Sequence, residues 1–352
     1  MDSPVSEIHL RNPSDYKRWR NFLESLDIHN FSDKEVQKID TTLAIFSGDD
    51  LVATGSLAGN TLKYIGVCNK DVVSGSRFNT IVSALVSREF QQGIFHLFVF
   101  TKIKYSASFQ HVGFNELAHT DDAAVLEDGS PDVNDYLNDI PKIADQKGKK
   151  IGSIVMNANP FTSGHRFLVE QAAKQCDLVY VFVVNTDASL FSTSERFYLV
   201  KRGTADLKNV IVVNGGDYMV SYVTFPAYFL ASSKDAIIYQ TTMDARIFKN
   251  IIAKGLNIDV RFIGTEPLSR TTSIYNQVLQ RQLPPEVEVD EIERQTTDGN
   301  YPITATAVRR DLKDNELEEI KKLVPLSTFD FIKANQAELT KRIKEGMNIN
   351  GN

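Results

Sequence analysis

Thr162, Ser163, Gly164 and His165 stand together in "MNANPFTSGHRFLVEQAA", a run that begins where the apolar stretch "IGSIV" ends. A glycine beside a histidine at the start of a helix has a chemical use. Glycine lets a ligand approach the backbone, because no Cβ is in the way. The first turn of a helix points unpaired N–H groups outward at the positive end of its dipole, which suits a phosphate. A histidine there can donate a hydrogen bond to a phosphoryl oxygen, and a neutral imidazole is enough for that. His165 is also the last histidine in the chain. Local physics leaves a second reading open, in which Thr162 or Ser163 caps the helix and His165 is solvated.

The elements around this stretch say what must position it. "KIGSIVMN", "DLVYVFVVN", "NVIVVNGG", "DAIIYQ", "DVRFIGT" and "EVEVDEI" read as strands. Helical patterns lie between them at Gly164 to Gln175, Ser194 to Ala205, Met243 to Lys254 and Thr272 to Arg281. Near-continuous apolar strands imply a parallel sheet covered on both faces. Such sheets bind ligands beyond the carboxyl ends of their strands, so residues 157–163 form the natural ligand loop. Asn159 lies in that loop, and Asn185 ends the second strand and faces the same crevice. "GTEP" follows a later strand, and Glu266 in it either accepts from sugar hydroxyls or is a turn residue. Arg196 and Lys201 share one helix and are either aimed at phosphates or solvated. Tyr228 and Phe229 fit a core better than an acyl pocket. "ANQAELTKRIKEG" reads as a surface helix.

The first part of the chain mixes helix and strand. Asp15 to Leu26 has helical spacing, and Thr41 to Cys68 reads as a meander with "SGDD" and "AGN" turns. A helix over Phe78 to Gly93, the strand "IFHLFVFT" and a short helix ending at Gly113 follow. Between Asp121 and Asp145 acidic residues dominate and Pro131 and Pro141 interrupt. This stretch is expected to hold the junction and to have little apolar surface to pack. The division is 1–135, a linker at 136–148, and 149–352.

Composition agrees with that plan. A chain of 352 residues suits two domains. A formal charge of −6 gives no global basic face and argues against nucleic acid. Cys68 and Cys176 are far apart without metal spacing, which favours a reduced, cytoplasmic protein. No apolar leader and no membrane-length apolar run are present.

"TSGH" resembles the [T/H]-x-G-H motif of the HIGH-type nucleotidyltransferases, in the threonine variant of phosphopantetheine adenylyltransferases. "TATAVR", Thr304 to Arg309, resembles their second signature, [S/T]-x-T-x-x-R, and follows the last predicted strand. "RFYLVKRGTADLKNV", "TFPAYFL", "VRFIGTEP" and "YPITATAVRRDL" extend the likeness. Over roughly residues 149–335 the chain resembles the citrate lyase ligase family. That family's N-terminal domain is similar to acetyltransferases of the GNAT type, and "FVFTKIKYSASFQHVGF" matches this. The implied fold class is α/β, with a GNAT-like α+β domain followed by a Rossmann-like parallel-sheet nucleotidyltransferase domain. "NKDVVSGSRFN" departs from the GNAT pyrophosphate loop Q-x-x-G-x-G/A, keeping only Gly75 and small serines. A CoA-type site and a carrier-docking surface both remain open for this part, with docking favoured.

The resemblance implies an acid–thiol ligase. Acetate and ATP, with Mg²⁺, would give acetyl-AMP, and the acetyl group would pass to the prosthetic-group thiol of the citrate lyase acyl carrier protein. It implies His165, Arg309 and Lys201 as catalytic residues. It implies Asn157, Asn159, Phe161, Thr162, Gly164, Gly264, Glu266, Ile303, Thr304 and Thr306 as nucleotide contacts, joined by His165 and Arg309, with no protein metal site. Two alternatives stand beside it. One is an adenylyltransferase acting on a phosphomonoester; the other is a non-catalytic binding module.

Overall fold

The computed structural model describes residues 2–29, 31, 33–70, 72–143, 146, 148–185, 189–219, 233–266, 269–296 and 302–350. The chain divides into two compact units, Met1–Tyr136 with Phe225–Met243 and Leu137–Thr224 with Asp244–Asn352. Tyr228 and Phe229 lie outside the described residues.

The first part runs β1 (Ser6–Ile8), α1 (Pro13–Ser25), α2 (Asp33–Val36), β2 (Thr41–Ser47), β3 (Asp50–Ala58), β4 (Thr61–Val67), α3 (Ser76–Gln91), β5 (His96–Lys102), α4 (Ser106–His111), β6 (Asn115–His119), β7 (Ala123–Gly129) and α5 (Val133–Asp139). Its sheet has the order β1-β2-β3-β4-β5-β7-β6. This is the expected GNAT-like α+β arrangement. Every pairing is antiparallel except β4 with β5, which share only Thr61↔Phe98 and Leu62↔Val99. Beyond those positions a cavity of about 550 Å³ is lined by Gly66, Val67, Gly75, Phe78, Thr101 and Lys102, among others. Helix α3 buries Ile81, Val82 and Leu85 on the helical spacing that predicted it. Gly55 of β3 permits this packing, since a Cβ there would lie 2.6 Å from the Leu85 side chain.

One expectation is corrected here. The acidic stretch does carry packed core: Ala123, Ala124, Val125 and Leu126 of β7 are buried, and β7 sits between β5 and β6. Its Glu127 is buried too, accepting from His96 at 2.8 Å. Further on, α5 covers part of the expected linker, and Leu137 and Ile140 are buried.

The second part runs β8 (Ile151–Met156), α6 (Ser163–Gln175), β9 (Leu178–Val183), α7 (Thr193–Gly203), β10 (Val210–Asn214), α8 (Ser233–Ile247), α9 (Lys254–Leu256), β11 (Val260–Gly264), α10 (Arg270–Gln282), β12 (Glu288–Ile292), α11 (Ala305–Asp314), α12 (Leu317–Leu323), α13 (Leu326–Ala334) and α14 (Gln336–Lys344). A π-helical turn, Phe248–Ala253, joins α8 to α9. "DAIIYQ" is therefore helix, not strand. The sheet order is β10-β9-β8-β11-β12, and every pairing is parallel. From β8 the chain moves outward to β9 and β10, then returns to β11 on the other side. The order reverses between β8 and β11, so the ligand crevice opens at their carboxyl ends. Residues from α11, α12, α13 and α14, among them Leu312, Ile320, Ile332 and Leu339, share one core with Val169, Val181 and Leu199. The expected surface helix α14 thus buries one face.

Candidate active site

Helix α6 begins at the carboxyl end of the central strand, and its first turn is closed by its own side chains. Thr162 is the N-cap, and its hydroxyl accepts from the His165 N–H at 3.3 Å. The Thr162 N–H donates back to His165 Nδ1 at 3.1 Å. An N–H can only donate, so Nδ1 is an acceptor and the imidazole proton sits on Nε2. Burial, with Arg294 and then Arg309 adding to it, holds His165 down at about 4. His165 is therefore a neutral donor near physiological pH. The buried Phe161 ring lies nearly parallel to it, with centroids 6.0 Å apart. Gly164 carries the close approach: a Cβ there would stand 3.3 Å from the Ile303 carbonyl oxygen.

Two buried arginines hold the loop between β8 and α6. Arg196 donates to the Asn157 carbonyl at 2.8 Å, the Asn157 side-chain oxygen at 2.9 Å and the Val184 carbonyl at 2.7 Å. It also reaches the Phe191 carbonyl at 3.1 Å. Arg309 donates to the Asn159 carbonyl, to Ile349 O at 3.0 Å and to Thr306 Oγ1 at 3.0 Å. The Asn159 side chain accepts from the Phe191 N–H at 3.0 Å. These bonds fix a loop in which Ala158 takes a left-handed φ of 49°, which costs a non-glycine residue energy.

The other wall comes from the loops after β11 and β12. Gly264 ends β11, in register with Ile292. The carboxylate of Glu266 accepts from Arg294 Nη2 at 2.6 Å and from the Ser269 N–H at 3.1 Å. The chain after Arg294 returns to the first wall: Ile303 N–H donates to the Gln295 carbonyl at 3.2 Å, and Ile303 lies over Gly164. Thr304 then caps α11, accepting from the Ala307 N–H at 3.1 Å. The two helix starts, α6 and α11, thus meet at Gly164 and Ile303. The result is a crevice with donors on both sides, suited to an anionic ligand.

The family model for the citrate lyase ligase C-terminal domain matches residues 151–332, and a citrate (pro-3S)-lyase ligase of Escherichia coli (strain K12) is 36% identical over 317 residues, covering 87% of this chain and 89% of its own. The chain belongs to the citrate lyase ligase family. A phosphopantetheine adenylyltransferase of Corynebacterium diphtheriae is 29% identical over 152 residues, 39% of this chain and 92% of its own. Among solved structures, an N-acetyltransferase from Staphylococcus aureus Mu50 covers 37% of this chain and 97% of its own, at 14% identity and a TM-score of 0.31.

Seen in this family member, the motif residues fall into distinct places. Thr162, Gly164, His165, Ile303 and Thr304 come together around one crevice, with Gly264 and Glu266 beside it. Phe161 is fully buried and packs against Gly203, where a Cβ would lie 2.5 Å from the ring. It supports His165 from behind. Asn157 and Asn159 face the arginines that tether the loop. Arg196 is buried and bonded, neither solvated nor aimed into the crevice. Lys201 is exposed in the last turn of α7, and the cations acting on His165 are Arg294 and Arg309 instead. Asn185 is exposed at the end of the β9 segment. Sequence reasoning passed over Arg294, which belongs to no motif and bonds to Thr265 and Glu266 in the loop after β11.

Among the described residues no group of three His, Cys, Asp or Glu side chains is placed to hold a metal ion. No helix among them is long and apolar enough to cross a membrane.

Proposed function

We propose that the chain is an ATP-dependent acid–thiol ligase acting on the citrate lyase acyl carrier protein. Family membership supports the reaction class. The observation that carries the site is the neutral His165, fixed by Thr162 with its Nε2–H free to donate at the start of α6. An acetate oxygen attacks the α-phosphorus of ATP, the bond to pyrophosphate breaks, and acetyl-AMP forms. The carrier thiolate then attacks the acetyl carbonyl carbon, and AMP leaves. The first nucleophile is already ionised at neutral pH, so this step needs positioning and charge stabilisation rather than a base.

Within this reading His165 donates to the α- or β-phosphate while the N–H groups of Gly164 and the α6 start surround the same oxygens. Thr304 and the start of α11 face them. Gly264 lies open, with nothing within 4 Å of a Cβ position, so the nucleoside has room to approach it. Glu266 borders the ribose. Arg309 and Thr306 hold the loop that carries the phosphates, with Asn157, Asn159 and Phe161 behind it. Lys201, exposed in the last turn of α7, would be a further cation for the outer phosphates. Mg²⁺ would arrive on the triphosphate, the strongest cluster of hard oxygens available. A cytoplasmic location is part of the same reading, because ATP is supplied there. The first unit would dock the carrier. The functional division is docking before the junction near residues 130–148 and adenylation after it.

The likeness to an adenylyltransferase keeps one other reading: transfer of AMP to a phosphomonoester. One experiment separates them. The chain is incubated with ATP, the carrier protein and either acetate or 4′-phosphopantetheine. The ligase reading expects an acetylated carrier thiol, by mass spectrometry, with acetate alone. A dinucleotide-like product with 4′-phosphopantetheine and no acetylated carrier would refute it.

A further inference from the structure

We propose that Arg294 is a further nucleotide-binding residue, contacting the phosphates of ATP beyond the α-phosphate; this rests on the ligase reading above. Two consecutive residues of the loop after β11 hold it. The Arg294 N–H donates to Thr265 Oγ1 at 3.1 Å, and Nη2 donates to Glu266 Oε2 at 2.6 Å. Thr265 is itself fixed, its N–H donating to the Ile292 carbonyl at 2.9 Å. Glu266 is fixed by the Ser269 N–H and is 7% exposed in its side chain. A buried carboxylate needs a partner, and Arg294 supplies it.

The pairing uses only one edge of the guanidinium. Nε and Nη1 have no partner among the described residues, and the side chain is 29% exposed. Four of the five N–H donors therefore remain, including both hydrogens of one planar edge, the geometry that matches phosphate oxygens. Their direction is set by the backbone. One residue on, Gln295 accepts from Ile303, and Ile303 lies over Gly164 beside His165. Arg294 and the start of α6 thus face one space. A solvated arginine would not have its backbone and its side chain held by adjacent residues of the neighbouring loop. Arg309 cannot supply the same contact as freely, since Asn159, Ile349 and Thr306 occupy it.

The test compares ATP with AMP, which lacks the outer phosphates. Binding of each to wild type, Arg294→Gln and Arg294→Lys is measured by calorimetry with full-length protein. Gln keeps a donor for Glu266, so the loop can stay folded, and the melting temperature checks this. The expected result is ATP affinity lowered about 10–100-fold in Arg294→Gln, with a smaller loss in Arg294→Lys, and AMP affinity changed less than about 2-fold. Unchanged ATP affinity in a folded Arg294→Gln would overturn the assignment and leave Arg294 as a partner of Glu266 only. Equal losses for ATP and AMP would overturn it as well. A wild type that binds no ATP would instead refute the ligase reading itself.

Discussion

At His165 the role of the side chain is set by one backbone hydrogen. The Thr162 N–H occupies Nδ1, so protonating the ring would set two donors against each other. Burial and the nearby cations Arg294 and Arg309 act in the same direction, and the folded value falls from 6.5 to about 4. A base whose folded value is lowered contributes stability that is complete above its unfolded value. That stability is lost as pH falls from 6.5 towards 4. In NMR spectra the His165 ring should hold constant shifts between roughly pH 5 and 8. A His165 titration midpoint near the ordinary value would contradict the tautomer assignment. Arg309 makes a second residue-scale prediction. Lysine keeps the charge but cannot bridge Asn159, Ile349 and Thr306 together. Arg309→Lys should therefore lower the melting temperature as well as the activity. A pure phosphate clamp would lose activity alone, and a thermal melt beside the kinetics distinguishes the two.

At the scale of elements, α7 packs against the site loop through Gly203. Adding a methyl there drives it into the Phe161 ring, 2.5 Å away. Gly203→Ala should cost about 1–3 kcal/mol, as overpacking does, read from chemical denaturation. No change would mean that Phe161 has room to retreat. The motif-bearing elements were legible in the sequence because their signals are local. "TSGH" and "TATAVR" each combine a cap residue with the start of a periodic helix, after an apolar strand. Arg294 was not legible, since its role depends on β12 lying beside β11, a pairing between residues far apart in the chain. "DAIIYQ" misled because a short apolar run fits a strand as well as a buried helix face, and only its length in space, Ser233–Ile247, decides. The strand β7 was hidden for the opposite reason. Its four apolar residues are flanked by carboxylates, and the pairing of Glu127 with His96 makes one of those carboxylates compatible with burial. Arg196 stood out by its charge and Arg309 by the family signature; the backbone partners of both are a tertiary fact.

At the scale of the molecule, the second unit begins inside the expected linker, at Leu137. Leu137 and Ile140 are buried and belong to the second unit, where Leu137 packs so closely on Gly255 that a Cβ there would lie 2.6 Å away. A chain beginning at Lys147 loses both. One beginning at Pro131 keeps both, with α5 intact. The longer fragment should melt higher and stay more soluble, since deleting a buried aliphatic side chain typically costs about 2–5 kcal/mol. Equal melting of the two fragments would show that these residues contribute nothing to the unit. If the longer fragment exchanges pyrophosphate but does not acetylate the carrier, the docking role proposed for the first unit is supported. Acetyl transfer at the full-length rate would remove that role.

The central claim is that the crevice at His165 activates acetate with ATP. ATP–pyrophosphate exchange measures this step without the carrier protein. In full-length wild type, exchange should depend on acetate. It should fall about 10²–10³-fold in a folded His165→Ala variant at saturating ATP, the scale of losing one preorganised donor. Exchange that proceeds equally without acetate, or that is untouched in His165→Ala, would contradict the account.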